Sequence, residues 1–256
     1  MGRLALSLLG GFEARIDLGP PLLVPTKKAQ ALLAYLALPP GRTHPRDKLA
    51  ALLWGDTPSG PARNALRQTL FILRKALGGA EPATLHVTGD AIALAPAVVQ
   101  TDVEAFERAV AEGTPSSLGQ TVDLYRGDLL AGLTVVEPAF EDWLMAERER
   151  LRELALEALA RLLAHQRAVG ATADAVQSAL RLLALDPLQE AVHRTLMRLY
   201  AQLGRRDAAL RQYQECVEVL QRELGVEPEP ETKTLYQEIL RQRPARPRAT
   251  PMAAPG

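Results

Sequence analysis

The chain has 256 residues with 30 basic and 30 acidic side chains, so its formal net charge is zero. Hydrophobic residues make up 47% and aromatic residues only 4%, which suits ordinary cores built from Leu, Ala and Val. The single cysteine, Cys216, excludes an internal disulfide and a cysteine-based zinc cluster. No apolar run reaches the roughly 20 residues that span a membrane, and the start shows no signal-peptide pattern, so we expect a cytoplasmic protein without membrane contact.

The neutral total hides an uneven distribution of charge. Residues 1–97 carry 11 Lys and Arg against six Asp and Glu, a net charge of +5, whereas residues 98–256 carry 19 against 24, a net charge of −5. A basic first third is typical of a segment that meets a polyanion. The pattern favours nucleic-acid binding by the N-terminal part.

Residues 1–97 show strand patterns, then three helices, then a hairpin. Residues 12–17 alternate apolar with charged side chains, the period-2 pattern of a half-buried strand. The predicted strands are 4–9, 12–17 and 22–24, the predicted helices 27–38, 45–54 and 61–77, and the predicted hairpin is 85–94 with its turn at Thr88-Gly89-Asp90. This order predicts an α+β winged helix-turn-helix domain with an N-terminal sheet.

The remainder reads as helices only, and it contains an internal repeat. The predicted helices are 103–112, 118–126, 139–168, 172–185, 188–203, 206–224 and 230–242. Gly170 and Gly204 are 34 residues apart, as are Ala175 and Ala209, which is the length of a tetratricopeptide repeat. We therefore predict a winged-helix domain at 1–97, an all-α domain with tetratricopeptide-like repeats at 98–242, and a disordered, proline-rich tail at 243–256.

The helix at 61–77 carries the clearest chemistry. Leu66, Leu70, Leu73 and Leu77 form one buried stripe, and the segment has four basic residues and no acid. Arg, Asn and Gln side chains carry the donors and acceptors that match guanine and adenine edges in the major groove. The predicted DNA-binding residues on and beside the opposite face are Arg63, Asn64, Arg67, Gln68, Phe71, Arg74 and Lys75. The alternative is a solvated amphipathic helix rich in arginine.

Other residues could support this role less specifically. An exposed Phe71 is expected to touch a thymine methyl group, to pack under the wing, or to lie at the rim of the core. Candidate phosphate contacts are Arg42, Arg46 and Thr88, together with Lys27, Lys28 and Lys48. For each of these lysines and arginines alone, a solvated surface charge is the competing interpretation.

Signals for an enzyme are poor. The four histidines have no metal-ligand spacing, and the sequence has neither a P-loop nor a G-x-S-x-G motif. Cys216 occupies a small-residue packing position of the second repeat, which favours a core thiol over a nucleophile. We expect no catalytic residue, no metal and no cofactor.

Three groups of residues resemble a known family. Leu52-Leu53-Trp54-Gly55-Asp56, residues 62–68 and residues 73–78 resemble the DNA-binding domain of the Streptomyces antibiotic regulatory protein family, which is itself similar to the winged helix of OmpR/PhoB-type phosphorelay response regulators. Residues 124–130, Trp143 with Glu147-Arg148, and residues 220–228 resemble the bacterial transcriptional activator domain. The resemblance covers about residues 4–241.

The resemblance implies a transcriptional activator that binds direct repeats of double-stranded DNA near promoters and recruits RNA polymerase. It makes 61–77 the recognition helix, 85–94 the wing and 55–60 a candidate polymerase contact, with two copies as a homodimer on DNA. The chain shows no receiver domain and no nucleotide-binding domain, so we expect a stand-alone regulator or an N-terminal fragment of a larger signalling ATPase. A helical-repeat scaffold for protein interaction is the other alternative.

Overall fold

The computed structural model describes residues 2–78 and 84–241. Its strands are β1 Leu4–Ser7, β2 Glu13–Ile16, β3 His44–Pro45, β4 Leu85–Thr88, β5 Ala91–Leu94 and β6 Val99–Thr101. Its helices are α1 Lys27–Leu36, α2 Arg46–Leu53, α3 Ser59–Leu77, α4 Asp102–Glu112, α5 Pro115–Leu124, α6 Pro138–Ala168, α7 Thr172–Leu185, α8 Glu190–Gln202, α9 Arg206–Leu224 and α10 Pro230–Arg241. The predicted tail at 243–256 lies outside the described residues.

The N-terminal sheet has the order β2-β1-β6, with β2 antiparallel and β6 parallel to β1. Strand β6 was not predicted, because three residues are too few to show a period. The prediction of a strand at 22–24 is wrong. The Leu22 amide donates one hydrogen bond to the Ala14 carbonyl, but residues 22–24 form no strand. Prolines at 20, 21 and 25 lack the N–H groups that a ladder needs, so pairing cannot extend.

Helices α1 to α3 form the predicted helical layer. Thr26 caps α1 by accepting a hydrogen bond from the Ala29 amide. The helix ends at Leu36, two residues earlier than predicted, ahead of Pro39. Helix α3 begins at Ser59, two residues earlier than predicted. Pro61 lies in its first turn, where N–H groups have no partner within the helix and proline is tolerated. The loop between α2 and α3 is therefore shorter than the predicted 55–60.

The predicted hairpin is confirmed as β4 and β5, which pair from Leu85–Leu94 to Thr88–Ala91. Gly89 has a φ of +57°, a left-handed conformation that suits glycine, and makes the tight turn possible. The edge of β5 also pairs with the short strand β3, just before α2. This sheet fixes the hairpin beside the N-terminus of α2, as in a winged helix.

Helix α4 packs against strands β1 and β6 of the N-terminal sheet, and α5 packs against α4. The Asp102 carboxylate accepts hydrogen bonds from the amides of Leu8 and Leu9 at 2.9–3.0 Å. Arg148 donates to the carbonyls of Leu129 and Leu130 at 2.8 and 3.0 Å. By packing, the chain forms two compact units that divide between Ala158 and Leu159. The domain boundary expected at residue 97 stays a prediction.

The second unit confirms the tetratricopeptide-like repeat. Gly170 and Gly204 have φ values of +75° and +69°, and the following residues, Ala171 and Arg205, each donate a 2.8 Å hydrogen bond to the carbonyl five residues earlier. Ala175 and Ala209 are fully buried where the paired helices approach each other. The 34-residue period is therefore reproduced in the backbone as well as in the sequence.

The two copies differ where their sequences differ. Helix α7 ends at Leu185, just before Pro187, which cannot continue a helix. The equivalent position in the second copy is Gln221, and α9 runs through it to Leu224. Gly225, with a φ of +68°, then ends the longer helix.

Candidate nucleic-acid interface

Helix α3 presents the predicted face to solvent. Its leucine stripe is buried, at 0–3% exposure for Leu66, Leu70, Leu73 and Leu77. All seven side chains predicted to bind DNA are exposed: Arg63, Asn64, Arg67, Gln68, Phe71, Arg74 and Lys75. The helix is thus buried on one face and exposes a basic and polar face to solvent.

Arg63 does not stand alone on this face. Its Nε and Nη2 atoms donate to both oxygens of Asp47, on α2, at 2.6 and 2.7 Å. These hydrogen bonds hold the pKa of the Asp47 carboxyl below its usual range. Asp47 therefore neutralises Arg63 and ties α2 to α3. The sequence could not show this pair, because the two residues are 16 positions apart and lie on different helices.

Arg67 and Asn64 are one turn apart and act as a unit. The Arg67 guanidinium donates from Nη1 to the Asn64 side-chain oxygen at 3.1 Å. The contact joins two exposed polar side chains on this face of α3. It also leaves the amide N–H₂ of Asn64 as a donor.

The hairpin turn is fastened to α2 through Arg46. The Arg46 amide donates to the Asp90 carbonyl at 2.8 Å, and its guanidinium Nε donates to the Gly89 carbonyl at 3.4 Å. Arg46 is half-buried, so it serves the wing turn as well as any phosphate. Arg42 and Thr88 are exposed, as phosphate contacts require.

Lys28 is engaged elsewhere, which argues against the phosphate role considered for it. Its ammonium contacts Glu137 Oε1 at 2.6 Å and lies 5.0 Å from the centre of the Trp54 ring. The other oxygen of Glu137 accepts the Gly55 amide at 3.0 Å. Glu137 is buried, and sequence reasoning missed it because it is 82 and 109 residues from these two partners. It clamps the start of the α2–α3 loop to α1.

Phe71 is exposed to 68%, so it neither packs under the wing nor joins the core. It borders a cleft of about 530 Å³ lined by Leu23, Pro25, Phe71, Ile72, Lys75 and Ala76. Leu23 is exposed to 82%. An apolar surface therefore adjoins the basic face, and the failed strand prediction at 22–24 concealed the contribution of Leu23.

The described residues contain no candidate metal cluster, and their one cysteine is not a reactive thiol. No group of His, Cys, Asp and Glu in residues 2–78 and 84–241 could hold a metal ion. Cys216 is buried, and burial raises the pKa of its thiol to about 12, so it stays protonated at neutral pH. Among the helices in the described part of the chain, none is long and apolar enough to cross a membrane.

Family models match both parts of the chain. The model of the bacterial transcriptional activator domain matches residues 93–240. The model of the C-terminal domain of transcriptional regulatory proteins matches residues 22–89, which contain α1 to α3 and the start of the hairpin sheet. The two matches cover the sequence segments on which the resemblance was recognised.

Curated relatives and a solved structure are similar to this chain over most of its length. Regulatory protein AfsR of Streptomyces coelicolor is 33% identical over 95% of this chain, which spans 25% of AfsR. Transcriptional regulatory protein MoaR1 of Mycobacterium tuberculosis is 28% identical over 95% of this chain, which spans 81% of MoaR1. The structure of M. tuberculosis EmbR in complex with a low affinity phosphopeptide superposes on 96% of this chain and 67% of that one, with a TM-score of 0.67 and 26% identity. The chain belongs to the Streptomyces antibiotic regulatory protein family, with an OmpR/PhoB-type domain followed by a bacterial transcriptional activator domain.

Proposed function

We propose that this chain is a sequence-specific, double-stranded DNA-binding transcriptional activator that acts in the cytoplasm without catalytic chemistry. One observation carries the proposal: α3 is anchored by its leucine stripe and exposes a face with four bases, one Asn and one Gln but no acid. A helix of this kind fits the major groove, where Arg, Asn and Gln read base edges. Family membership and the basic N-terminal third agree with this role.

The side chains of α3 divide between base reading and support. Arg67, Asn64 and Gln68 lie on the first half of the exposed face and are the base readers in this proposal. Arg63 is neutralised by Asp47, so its contribution is to hold α3 against α2 unless DNA displaces the carboxylate. Arg42 and Thr88 are exposed and are the proposed phosphate contacts, which give affinity and register without sequence preference.

The α2–α3 loop is the proposed contact for RNA polymerase. The clamp of Lys28 and Glu137 fixes its first residue, while Asp56 remains exposed. Two copies on adjacent direct repeats would each present one such loop. The all-α region would then contribute contacts between neighbouring copies or with polymerase.

The proposal is tested by selecting bound duplexes from a random pool with the full chain and measuring affinity by gel shift. Arg67→Ala and Gln68→Ala should each lower affinity for the selected duplex by about 1–3 kcal/mol and relax the preference at one base pair. The matched control is Arg211→Ala, an exposed arginine on α9, which should bind as the wild type does. Unchanged affinity and preference in both α3 variants would overturn the assignment of this helix.

A further inference from the structure

An aromatic side chain stands at the centre of the basic face of α3. At about 100° per residue, Phe71 lies within about 60° of Asn64, Arg67, Gln68, Arg74 and Lys75 around the helix axis. Two-thirds of its surface is exposed, and the helix is anchored through the buried leucine stripe on its other face. Phe71 therefore adds little to the core, and it interrupts a face otherwise suited to polar groups.

The surroundings of Phe71 select the kind of group that it would contact. Arg67 and Lys75 lie one turn before and one turn after it, so whatever meets Phe71 also meets two cations. A second apolar protein surface would have to bury these charges. Duplex DNA supplies phosphates for the cations, and the thymine C5-methyl is the apolar group that the major groove displays.

We propose that Phe71 is a specificity-determining residue that reads thymine through its C5-methyl group. The cleft beside it, with Leu23 and Ile72 in its walls, gives the methyl group an apolar surface next to the ring. This inference rests on the proposed function, because it requires α3 to enter the major groove. It adds a discrimination that hydrogen-bonding side chains do not provide, namely thymine against uracil, which has the same hydrogen-bonding groups but lacks the C5-methyl group.

Replacement of thymine by deoxyuridine tests the proposal, since it removes one methyl group and leaves every hydrogen-bonding group in place. Each thymine of the selected duplex is replaced in turn, and affinity is measured at fixed salt for the wild type and Phe71→Ala. At one or two positions the wild type should lose about fourfold in affinity, the effect of one methyl-sized group. Phe71→Ala should bind the two duplexes equally, and Phe71→Leu should keep part of the difference.

Leu18→Ala is the matched control, because Leu18 is a fully exposed leucine in the loop after β2 and lies off α3. This variant should retain the full loss on deoxyuridine. A wild type that is indifferent to deoxyuridine everywhere, a selected site without thymine, or a Phe71→Ala variant that keeps the loss would overturn the inference while leaving the proposed function standing. If the chain selects no duplex at all, the proposed function fails first.

Discussion

At the residue scale, His44 is a buried ionisable group inside the winged-helix core. Its ring lies 5.0 Å from that of Tyr35, and its Nε2 atom has no hydrogen-bond partner among the described residues. Burial lowers the pKa of the imidazole, and the nearby charges of Arg42 and Lys48 lower it further. The folded protein therefore holds His44 in its neutral form.

This burial predicts a pH dependence of stability. The unfolded chain protonates His44 near its ordinary pKa of about 6.5, whereas the folded chain does so only at lower pH. Above about pH 6.5, His44 therefore does not reduce the free energy of unfolding. As the pH drops below this value toward the lower pKa that His44 has in the folded protein, the free energy of unfolding falls. Urea unfolding of the wild type and His44→Gln at pH 7.5 and 5.5 should show a smaller loss in the variant. Equal losses in the two proteins would contradict the account.

Trp54 shows a different residue-level effect, namely packing. It is 9% exposed at the end of α2, and its ring lies beneath the Lys28 ammonium. Trp54→Ala should reduce the free energy of unfolding by about 3–5 kcal/mol, because truncation leaves a large void. Phe71→Ala, an aromatic truncation on an exposed site, should change it by less than about 0.5 kcal/mol. Wild-type stability of the Trp54 variant in chemical denaturation would refute its role in the core.

At the element scale, Glu137 joins three segments. One carboxylate oxygen contacts Lys28 at the start of α1. The other accepts a hydrogen bond from the amide of Gly55, which directly follows Trp54, the C-cap residue of α2. Its own backbone carbonyl accepts the first amide bonds of α6. The α2–α3 loop therefore owes its position to a residue that lies outside the predicted winged-helix domain.

Glu137→Ala should reduce the free energy of unfolding by about 1.5–3 kcal/mol, the typical value of a hydrogen bond to a charged group. Lys28→Met removes the partner, so the double variant should lose less than the sum of the two single losses. Both are measured by urea denaturation. Strict additivity would mean that the pair does not couple α1 to the loop.

The elements divide into those that the sequence predicts and those that it cannot. Amphipathic stripes predict α1, α3 and the repeat helices, because a period of 3.6 residues directly reports one buried face. The sequence does not predict strand β6, because this strand depends on pairing with β1. It also does not predict the true start of α3, because that helix accommodates Pro61 within its first turn. The Asp47–Arg63 pair and the Glu137 clamp escape for the same reason, because they are contacts between distant segments.

At the scale of the whole molecule, the proposal concerns how two copies share a site. A single winged helix offers a small footprint, and a second copy on an adjacent repeat raises affinity through effective concentration. The full chain should therefore bind a duplex with two direct repeats more tightly than one with a single repeat, by more than the factor of two expected from site number. Gel shifts at fixed salt measure both affinities. A ratio of two or less would show that copies bind independently.

The central claim is that the exposed face of α3 reads duplex sequence, and one comparison tests it most directly. The full chain and Gln68→Ala are each titrated against the selected duplex and a scrambled duplex of equal length at the same salt concentration. The account predicts that the wild type prefers the selected duplex and that Gln68→Ala loses part of this preference, while its weaker binding to the scrambled duplex stays unchanged. A wild type that binds both duplexes equally, or a variant with the full preference intact, would contradict it.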